Sequence, residues 1–340
     1  MVRIRKEITV KNKRHFLQNL FTGEKKLTVI IGISKNAGKT TLLNWILKHI
    51  SSATVGVLTT GRDGESKDIV GGHIKPKAYL PQNTYFTTFA SILRNHSSGL
   101  EVIERLPYKS VGKELWLCRA LRNLELEIIG PPTVTQQISI AETMLAHGAQ
   151  HVFIDGSLDR RSIARAAQID SLLVAVSPEF GNKREIMSEL NKLSQLSSIP
   201  RAETTIEDPE YLCYRDDDGF HTTKIKSVLH KKFSLDKYIS SDWIYLPGAI
   251  TDAIFKPVQT FIQAYDGDII IRHPFNLHLE KDKLQRLMEM GKIKCLHRLN
   301  IDGIAVNSYS VSGMHLDCEE LREDIRKSFD IPVVDVAEVH

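Results

Sequence analysis

Gly38, Lys39 and Thr40 follow one another in an order that suits the binding of nucleotide phosphates. A phosphate-binding loop needs a glycine where a side chain would collide with phosphate, a lysine charge and a hydroxyl for Mg²⁺. The apolar run LTVIIG before these residues predicts a strand, and the segment KTTLLNWILKHI after them predicts a helix. The positive end of the helix dipole favours an anion there. We therefore predict a phosphate-binding loop, although a chance GKT in a turn is the simpler alternative.

The spacing of the glycines in this loop differs from the common phosphate loop. The common pattern has glycine five positions before Gly38, where this chain has Ile33, and the nearest glycine is Gly32. The loop therefore reads G-x5-G-K-T. Lys35 has two interpretations, a lysine that acts in trans or a solvated loop charge near phosphate. The predicted nucleotide-binding residues are Gly32, Ser34, Lys35, Asn36, Ala37, Gly38, Lys39, Thr40 and Thr41.

Two carboxylates are predicted to complete a magnesium site with the hydroxyl of Thr40. Asp155 ends the apolar run HVFID, as expected of a carboxylate that holds Mg²⁺ directly or through water. Asp63 lies in LTTGRDGE, after the second predicted strand, at the sheet edge that faces ligands in open α/β folds. The alternatives are a helix cap for Asp155 and a polar turn for Asp63. Lys39, Asp155 and Asp63 are the predicted catalytic residues.

Short β-branched runs recur along the chain, and helical patterns lie between them. The runs are LTVIIG, TVGVLTT, LEIIG, HVFIDG, SLLVAVS, DWIYLPG, DIIIRHP, GIAVNSYS and IPVVDV. Continuous apolar strands of this kind are buried on both faces, as in a parallel sheet with helices on each side. The sequence thus predicts an α/β fold, a P-loop NTPase with a mainly parallel sheet covered by helices on both faces, plus a hairpin insertion.

The predicted organisation has four segments. The hairpin is predicted from YLCYRDDDGFHTTKI, which looks like two strands joined through Asp218 and Gly219. The C-terminal segment either continues the sheet of the core or forms its own. The segments are a basic N-terminal arm (1–21), a nucleotide-binding core (22–196), the polar hairpin insertion (197–234) and a C-terminal α/β segment (235–340).

The composition is that of a globular protein, with 42% apolar and 25% charged residues among 340. A net charge of +4 is small for this length and does not suggest nucleic acid or an acidic membrane as partner. No apolar run approaches the roughly 20 residues that cross a bilayer. The four cysteines have no C-x-x-C pair, which favours reduced thiols and predicts a cytoplasmic protein.

The G-x5-G-K-T loop resembles that of dethiobiotin synthetase and of the class that includes MinD-like and metallochaperone ATPases. No N-K-x-D element for reading guanine is present, which favours ATP over GTP. The segments GISKNAGKTTLLN, LTTGRDGE, FIDGSLDRRSIA and AVNSYSVSGMHLDCEELREDI with IPVVDV together resemble the P-loop subunit family of lysine 5,6-aminomutase reactivases, over residues 27 to 336.

This resemblance implies an ATPase that uses Mg²⁺ and ATP to help eject damaged cobalamin from an inactivated aminomutase, so that fresh cofactor can enter. The implied partner is the adenosylcobalamin-dependent aminomutase, and whether a second reactivase subunit takes part stays open. Two other functions are compatible with the residues. One is a small-molecule kinase or ATP-dependent ligase like dethiobiotin synthetase, and the other is a nucleotide-binding subunit that no longer hydrolyses ATP.

Overall fold

The computed structural model is an α/β protein with two compact units. One unit comprises residues 1–187 and 301–340, and the other comprises residues 188–300. The structure describes residues 13–22, 26–50, 53–59, 77–95, 98–156, 167–207, 209–229, 233–238, 240–308 and 316–336. The chain enters the second unit at residue 188 and returns to the first unit at residue 301, while the predicted four-segment organisation stays a prediction.

A nine-stranded mixed sheet forms the centre of the first unit, in the order β18-β17-β9-β1-β8-β2-β4-β6-β5. The strands from β18 to β4 are parallel to one another, which agrees with their continuous apolar sequences. The parallel strands are β1 (Leu27–Gly32), β2 (Val55–Thr59), β4 (Tyr85–Phe89), β8 (His151–Asp155), β9 (Ser171–Val176), β17 (Ile301–Val306) and β18 (Val333–Asp335).

The far edge of this sheet is antiparallel, which the sequence analysis did not predict. β5 (Leu100–Ser110) and β6 (Lys113–Ala120) form a hairpin whose turn residues, Val111 and Gly112, have left-handed φ values of 48° and 74°. Along both strands, buried side chains are interspersed with partly buried or exposed ones, so these strands lack the continuous apolar runs of the parallel strands. β3 (Ala78–Leu80) pairs antiparallel with β7 (Leu124–Leu126).

Helices and a central apolar core cover the parallel strands. Helix α1 (Lys39–His49), which the sequence predicted, buries Leu43, Ile46 and Leu47. Residues 13–20, within the predicted N-terminal arm, are helical, and Phe16 and Leu20 are fully buried. The other helices of this unit are α2 (Ala90–Asn95), α3 (Val134–Ala146) and α7 (Cys318–Ser328); helix α4 (Lys183–Ser197) contains the division between the units.

The second unit has a smaller sheet in the order β11-β10-β12-β14-β16. Its first two strands form the predicted hairpin, with Asp216 paired to Gly219, and this prediction is confirmed. Strands β12, β14 and β16 are parallel. The elements are β10 (Cys213–Asp216), β11 (Gly219–Thr222), β12 (Trp243–Leu246), β13 (Ile250–Thr251), α5 (Asp252–Tyr265), β14 (Asp268–Ile271), β15 (Leu277–His278), α6 (Lys281–Glu289) and β16 (Ile293–Cys295).

One predicted strand is wrong in its position. The run LEIIG was predicted as a strand, but β7 ends at Leu126 and the following residues to Gly130 are irregular. They are held by side-chain and backbone hydrogen bonds instead, since Thr87 Oγ1 donates to the Ile129 carbonyl and Ile129 N donates to the Thr87 carbonyl at 2.9 Å. Within the described residues, no helix has the length and apolar character to span a membrane.

Candidate functional site

The β1–α1 loop, residues 33–38, connects a buried strand to the N-terminus of a helix. Asn36 and Gly38 have left-handed backbone conformations, with φ values of 59° and 89°. Glycine and asparagine are the residues that adopt this conformation most readily. A turn that changes hand in this way can direct successive backbone N–H groups inward, which makes a concave site for an anion. The left-handed residues of the loop are therefore compatible with the predicted phosphate binding.

Gly32 explains the unusual spacing of this loop. A Cβ built on Gly32 would lie 2.8 Å from the Cβ of Ala37 and 3.0 Å from the carbonyl oxygen of Ser34, both closer than normal contacts. The loop thus folds back onto the last residue of β1. Glycine is needed one position earlier than in the common pattern because the close approach occurs at the end of the strand itself.

The helix that follows begins without a side-chain cap. Gly38 is the N-cap of α1 and has no side chain to accept from the first-turn amides, and the first turn contains no acidic residue. Leu42 N makes an α-helical hydrogen bond to the Gly38 carbonyl at 2.8 Å. The amides before Leu42 belong to the first turn, whose N–H groups have no intrahelical acceptor in any α-helix. An anion at the loop would satisfy these donors and the helix dipole together.

Ser34 contributes a buried hydroxyl to the same loop. It is 8% exposed, and its Oγ has no hydrogen-bond partner in the described part of the chain. Leaving a buried hydroxyl unpaired costs on the order of 1–3 kcal/mol, so such groups are usually explained by a ligand, an ion or water. The unpaired Oγ is compatible with a phosphate-binding role for Ser34.

The side chains of Thr40 and Asp155 are in direct contact at the carboxyl ends of the neighbouring strands β1 and β8. Thr40 Oγ1, in the first turn of α1, donates to Asp155 Oδ2 at 2.8 Å. Asp155 ends β8, which pairs with β1 in parallel register, and Ile30 is opposite Asp155. Thus the hydroxyl and the carboxylate predicted to hold Mg²⁺ are brought together, and both are oxygen ligands of the kind that Mg²⁺ prefers.

The environment of Asp155 opposes its ionisation. Burial raises the pKa of the Asp155 carboxyl, while the positive charge of Lys39 and the hydrogen bond from Thr40 act in the opposite direction. A carboxylate in such a place is stabilised when a cation joins it. Among the residues that the structure describes, no group of three or more His, Cys, Asp or Glu side chains could by itself hold a metal ion. A metal at Asp155 would therefore need ligands from Thr40, water and a phosphate.

Asn307 is a residue of this site that the sequence analysis did not assign a role. It directly follows β17, is 5% exposed, and packs against Gly38 so closely that a Cβ on Gly38 would lie 2.8 Å from Asn307 Cβ and Cγ. Its backbone N donates to the Val176 carbonyl at 2.7 Å, which joins the ends of β17 and β9. The polar residues after the apolar run GIAV were visible in the sequence, but their distance of some 270 positions from the loop hid the contact.

A second close contact occurs at the end of β2. A Cβ on Gly130 would overlap the carbonyl oxygen of Thr59, so only glycine fits there. Thr59 is opposite Asp155 in the register of β2 and β8. The segment around Gly130 therefore crosses the carboxyl end of β2, next to the strand that carries Asp155, before α3 begins after the N-cap Thr133.

The remaining predicted residues have different outcomes. Lys35, Ala37 and Thr41 lie in or beside the β1–α1 loop, with Ala37 buried and Lys35 and Thr41 exposed. Asp63 lies outside the described residues, so its predicted metal role stays a prediction. The cysteines do not offer a nucleophile, since burial raises the pKa of Cys118 to about 12 and of Cys213 to about 11.

Comparisons with known proteins returned no match to a family model, a curated protein or a solved structure. Gly32 and Gly38 allow the loop to pack closely against Ala37 and Asn307. Ser34 has an unpaired hydroxyl, and Lys39, Thr40 and Asp155 lie together at the carboxyl edge of the sheet. This set of residues fits a nucleotide phosphate with its magnesium ion.

Proposed function

We propose that the chain binds Mg²⁺ and ATP at the β1–α1 loop, as a P-loop ATPase. The hydrogen bond of 2.8 Å between Thr40 Oγ1 and Asp155 Oδ2 is the observation that carries this proposal. It joins a helix N-terminal hydroxyl to a strand-end carboxylate, which is the pair that holds magnesium in P-loop NTPases. A polar turn with a chance GKT would have no reason to bury a carboxylate beside both Lys39 and Thr40.

Each residue has a distinct task in this proposal. The loop amides and the N-terminus of α1 bind the phosphates, while the Lys39 charge offsets the negative charge of their outer oxygens. Thr40 and Asp155 would hold Mg²⁺, Asp155 either directly or through water. When bound, magnesium polarises the phosphoryl oxygens and neutralises charge that develops on them.

The protein substrate is proposed from the sequence resemblance. The four segments that resemble the P-loop subunit of lysine 5,6-aminomutase reactivases suggest a reactivating chaperone, which promotes exchange of damaged cobalamin in the adenosylcobalamin-dependent aminomutase. A loop that differs between its ATP and ADP states can bias a surface between two conformations. A partner that prefers one of these conformations couples hydrolysis to its own opening.

Two measurements test this proposal in order. Calorimetric titration of the full chain with ATP and MgCl₂, repeated with EDTA, should show binding that needs the metal for full affinity. Absence of ATP binding at millimolar concentration would overturn the assignment of the loop. The second measurement mixes the chain and ATP with an aminomutase inactivated by damaged cobalamin, with and without any second reactivase subunit. Recovered aminomutase activity is expected only with ATP.

The same assay distinguishes the alternative function. A small-molecule kinase like dethiobiotin synthetase would show ATP turnover that rises with a low-molecular-weight acceptor and does not change with the aminomutase. If the aminomutase is not reactivated and a small acceptor stimulates ATP turnover, the chaperone function would be rejected in favour of a small-molecule kinase or ligase. ATP binding with no turnover under any of these conditions would indicate a nucleotide-binding subunit without hydrolysis.

A further inference from the structure

A cluster of polar side chains lies at the ends of β17 and β18, on the side of β1 opposite to Asp155. Asp335 ends β18 and is 5% exposed. It accepts a hydrogen bond from Ser308 Oγ at 2.5 Å and is 3.4 Å from Nη1 of Arg322, on helix α7. Burying a carboxylate and a guanidinium has a high desolvation free energy unless both groups are well paired. Packing of the fold alone does not require such a pair.

The cluster is joined to the phosphate loop through one peptide unit. Ser308 follows Asn307, and the Asn307 side chain packs against Gly38. The backbone on either side is also tied, because Asn307 N donates to the Val176 carbonyl at 2.7 Å and Val336 N donates to the Val306 carbonyl at 3.0 Å. The backbone bonds fix the strand ends, whereas the Ser308 side chain, directly after Asn307, is held by its bond to Asp335 and also contacts the Cys318 side chain.

From this arrangement we propose that Asp335 and Ser308 are positioning residues of the nucleotide site, which hold Asn307 against Gly38 and so keep the phosphate loop in its binding conformation. This inference rests on the proposed function, since it concerns the same loop. Gly38 has the left-handed conformation with φ 89°, and glycine has more backbone freedom to lose than any other residue. A neighbour that restricts Gly38 before the ligand arrives lowers the entropy cost of binding.

The expected loss of ATP affinity can be estimated from the conformational entropy of ordering one residue. The free energy of fixing the backbone of one residue corresponds to roughly a tenfold change in affinity. Since about 1.4 kcal/mol corresponds to a factor of ten in affinity, releasing Asn307 should weaken ATP binding about tenfold. Asp335 and Ser308 do not touch the loop themselves in this account, so they should alter affinity for ATP and leave the turnover rate at saturation nearly unchanged.

The test uses the full chain and variants that keep the fold. Ser308 is exposed, so Ser308→Ala should fold, and Ser308→Thr retains the hydroxyl. The matched control is Asp324→Asn, which removes a partly exposed partner of Lys183 on the same helix as Arg322. We expect Ser308→Ala to raise the KM and Kd for ATP about tenfold with kcat retained, Ser308→Thr to restore both, and the control to match the wild type.

Asp335→Asn separates the hydrogen bond from the ion pair. Its amide oxygen can still accept from Ser308, but it no longer pairs with the charge of Arg322. Affinity closer to the wild type than that of Ser308→Ala would show that the bond to Ser308 is the positioning contact. Unchanged ATP affinity in Ser308→Ala, or a loss that the threonine does not restore, would overturn the inference.

Hydrogen exchange separates this inference from the proposed function. In nucleotide-free protein, the amides of residues 33–40 should exchange faster in Ser308→Ala than in the wild type and the Asp324→Asn control. This result does not depend on ATP. If the wild type fails to bind ATP, the proposed function fails, while faster exchange would still support the positioning of the loop; unchanged exchange would contradict it.

Discussion

Each of the two units contains a parallel strand followed by a left-handed glycine and then a helix, and the two connections differ in the features on which the proposed nucleotide site depends. In the first unit β1 leads to α1, whose N-cap is Gly38. In the second unit β12 leads through Gly248 and the short strand β13 to α5, whose N-cap is Thr251. Both glycines have left-handed backbone conformations, with φ values of 89° and 81°, but only Gly38 adjoins its helix.

The charged side chains in the first turns of the two helices have opposite signs. The first turn of α1 has no acidic residue and begins with Lys39. The first turn of α5 contains Asp252, whose Oδ1 accepts from Glu280 N at 3.2 Å and lies 3.4 Å from Lys283 Nζ. Asp252 already supplies negative charge at the positive end of the α5 dipole, so a phosphate would be repelled there. A helix N-terminus binds an anion only where the protein does not provide one.

Substitution of Gly38 and Gly248 by alanine is expected to give the largest difference in stability between the two connections. At Gly38 an added Cβ would lie 2.8 Å from Asn307, in addition to having an unfavourable φ, whereas at Gly248 nothing lies within 4 Å. We expect Gly38→Ala to destabilise the fold by about 3 kcal/mol, the sum of conformational strain and overpacking. Gly248→Ala should cost only about 1 kcal/mol, from strain alone. Urea unfolding of both variants measures the difference.

Addition of Mg²⁺ and ATP extends that measurement. A ligand that binds the folded state raises its stability, so saturating ATP should raise the Tm of the wild type and of Gly248→Ala. Gly38→Ala should show no such rise, because its loop cannot hold the phosphates. Equal costs for the two alanines would mean that Asn307 does not crowd Gly38.

Lys39 gives the next largest effect. Lys39→Ala removes the charge that faces the phosphates and should reduce kcat/KM for ATP about a hundredfold, as the loss of one preorganised electrostatic contact does in other enzymes. Lys48→Ala, at the exposed end of the same helix, is the matched control and should keep full activity. Turnover of Lys39→Ala equal to that of the control would remove the loop as the site of hydrolysis.

Asp155 is expected to act on turnover and on stability in opposite directions. Asp155→Asn replaces a magnesium ligand by a weaker one and should lower turnover about tenfold or more. The nucleotide-free variant should be more stable than the wild type at pH 7, because burial raises the pKa of Asp155 and ionisation is unfavourable there.

The pH dependence follows from the sign of that shift. The stability that Asp155 contributes is fully present below about pH 4, the pKa in the unfolded chain, and is lost as the pH rises through the higher folded value. The advantage of Asp155→Asn in Tm should therefore grow from pH 4 to pH 7. A constant difference across this range would contradict the role of burial.

Local patterns in the sequence were enough to predict the strand and the helix on either side of the β1–α1 loop and the carboxylate beside it. The strand before the loop, the helix after it and Asp155 at the end of HVFID all lie within short segments, where hydrophobic periodicity and residue type identify them. The pairing of Thr40 with Asp155 follows from parallel neighbours whose carboxyl ends meet. These relations depend on residues close in sequence or on a general rule of parallel sheets.

Long-range packing explains what the sequence did not reveal. Asn307 contacts Gly38, and Asp335 accepts from Ser308, only because β17 and β18 return to the first sheet after the second unit. The β5–β6 hairpin was missed because edge strands alternate in burial and carry charges, including the Arg105–Glu114 pair. Local residue patterns in a single sequence do not show which strands are neighbours in a sheet.

Substitution of Asp252, in the second unit, is expected to have the smallest effect on stability and tests whether its charge is what prevents anion binding at α5. Asp252→Asn removes a charge that favours the N-terminus of α5 and should lower stability by about 0.5 kcal/mol. It should not create ATP binding, because the second connection has no counterpart of Lys39 or of the Thr40–Asp155 pair. The double variant Asp252→Asn with Lys39→Ala makes this decisive, since any ATP affinity it gained over Lys39→Ala alone would have to come from α5. Calorimetric titration that shows such a gain would mean that a helix N-terminus without acid is sufficient, and the difference between the two units would then be one charge.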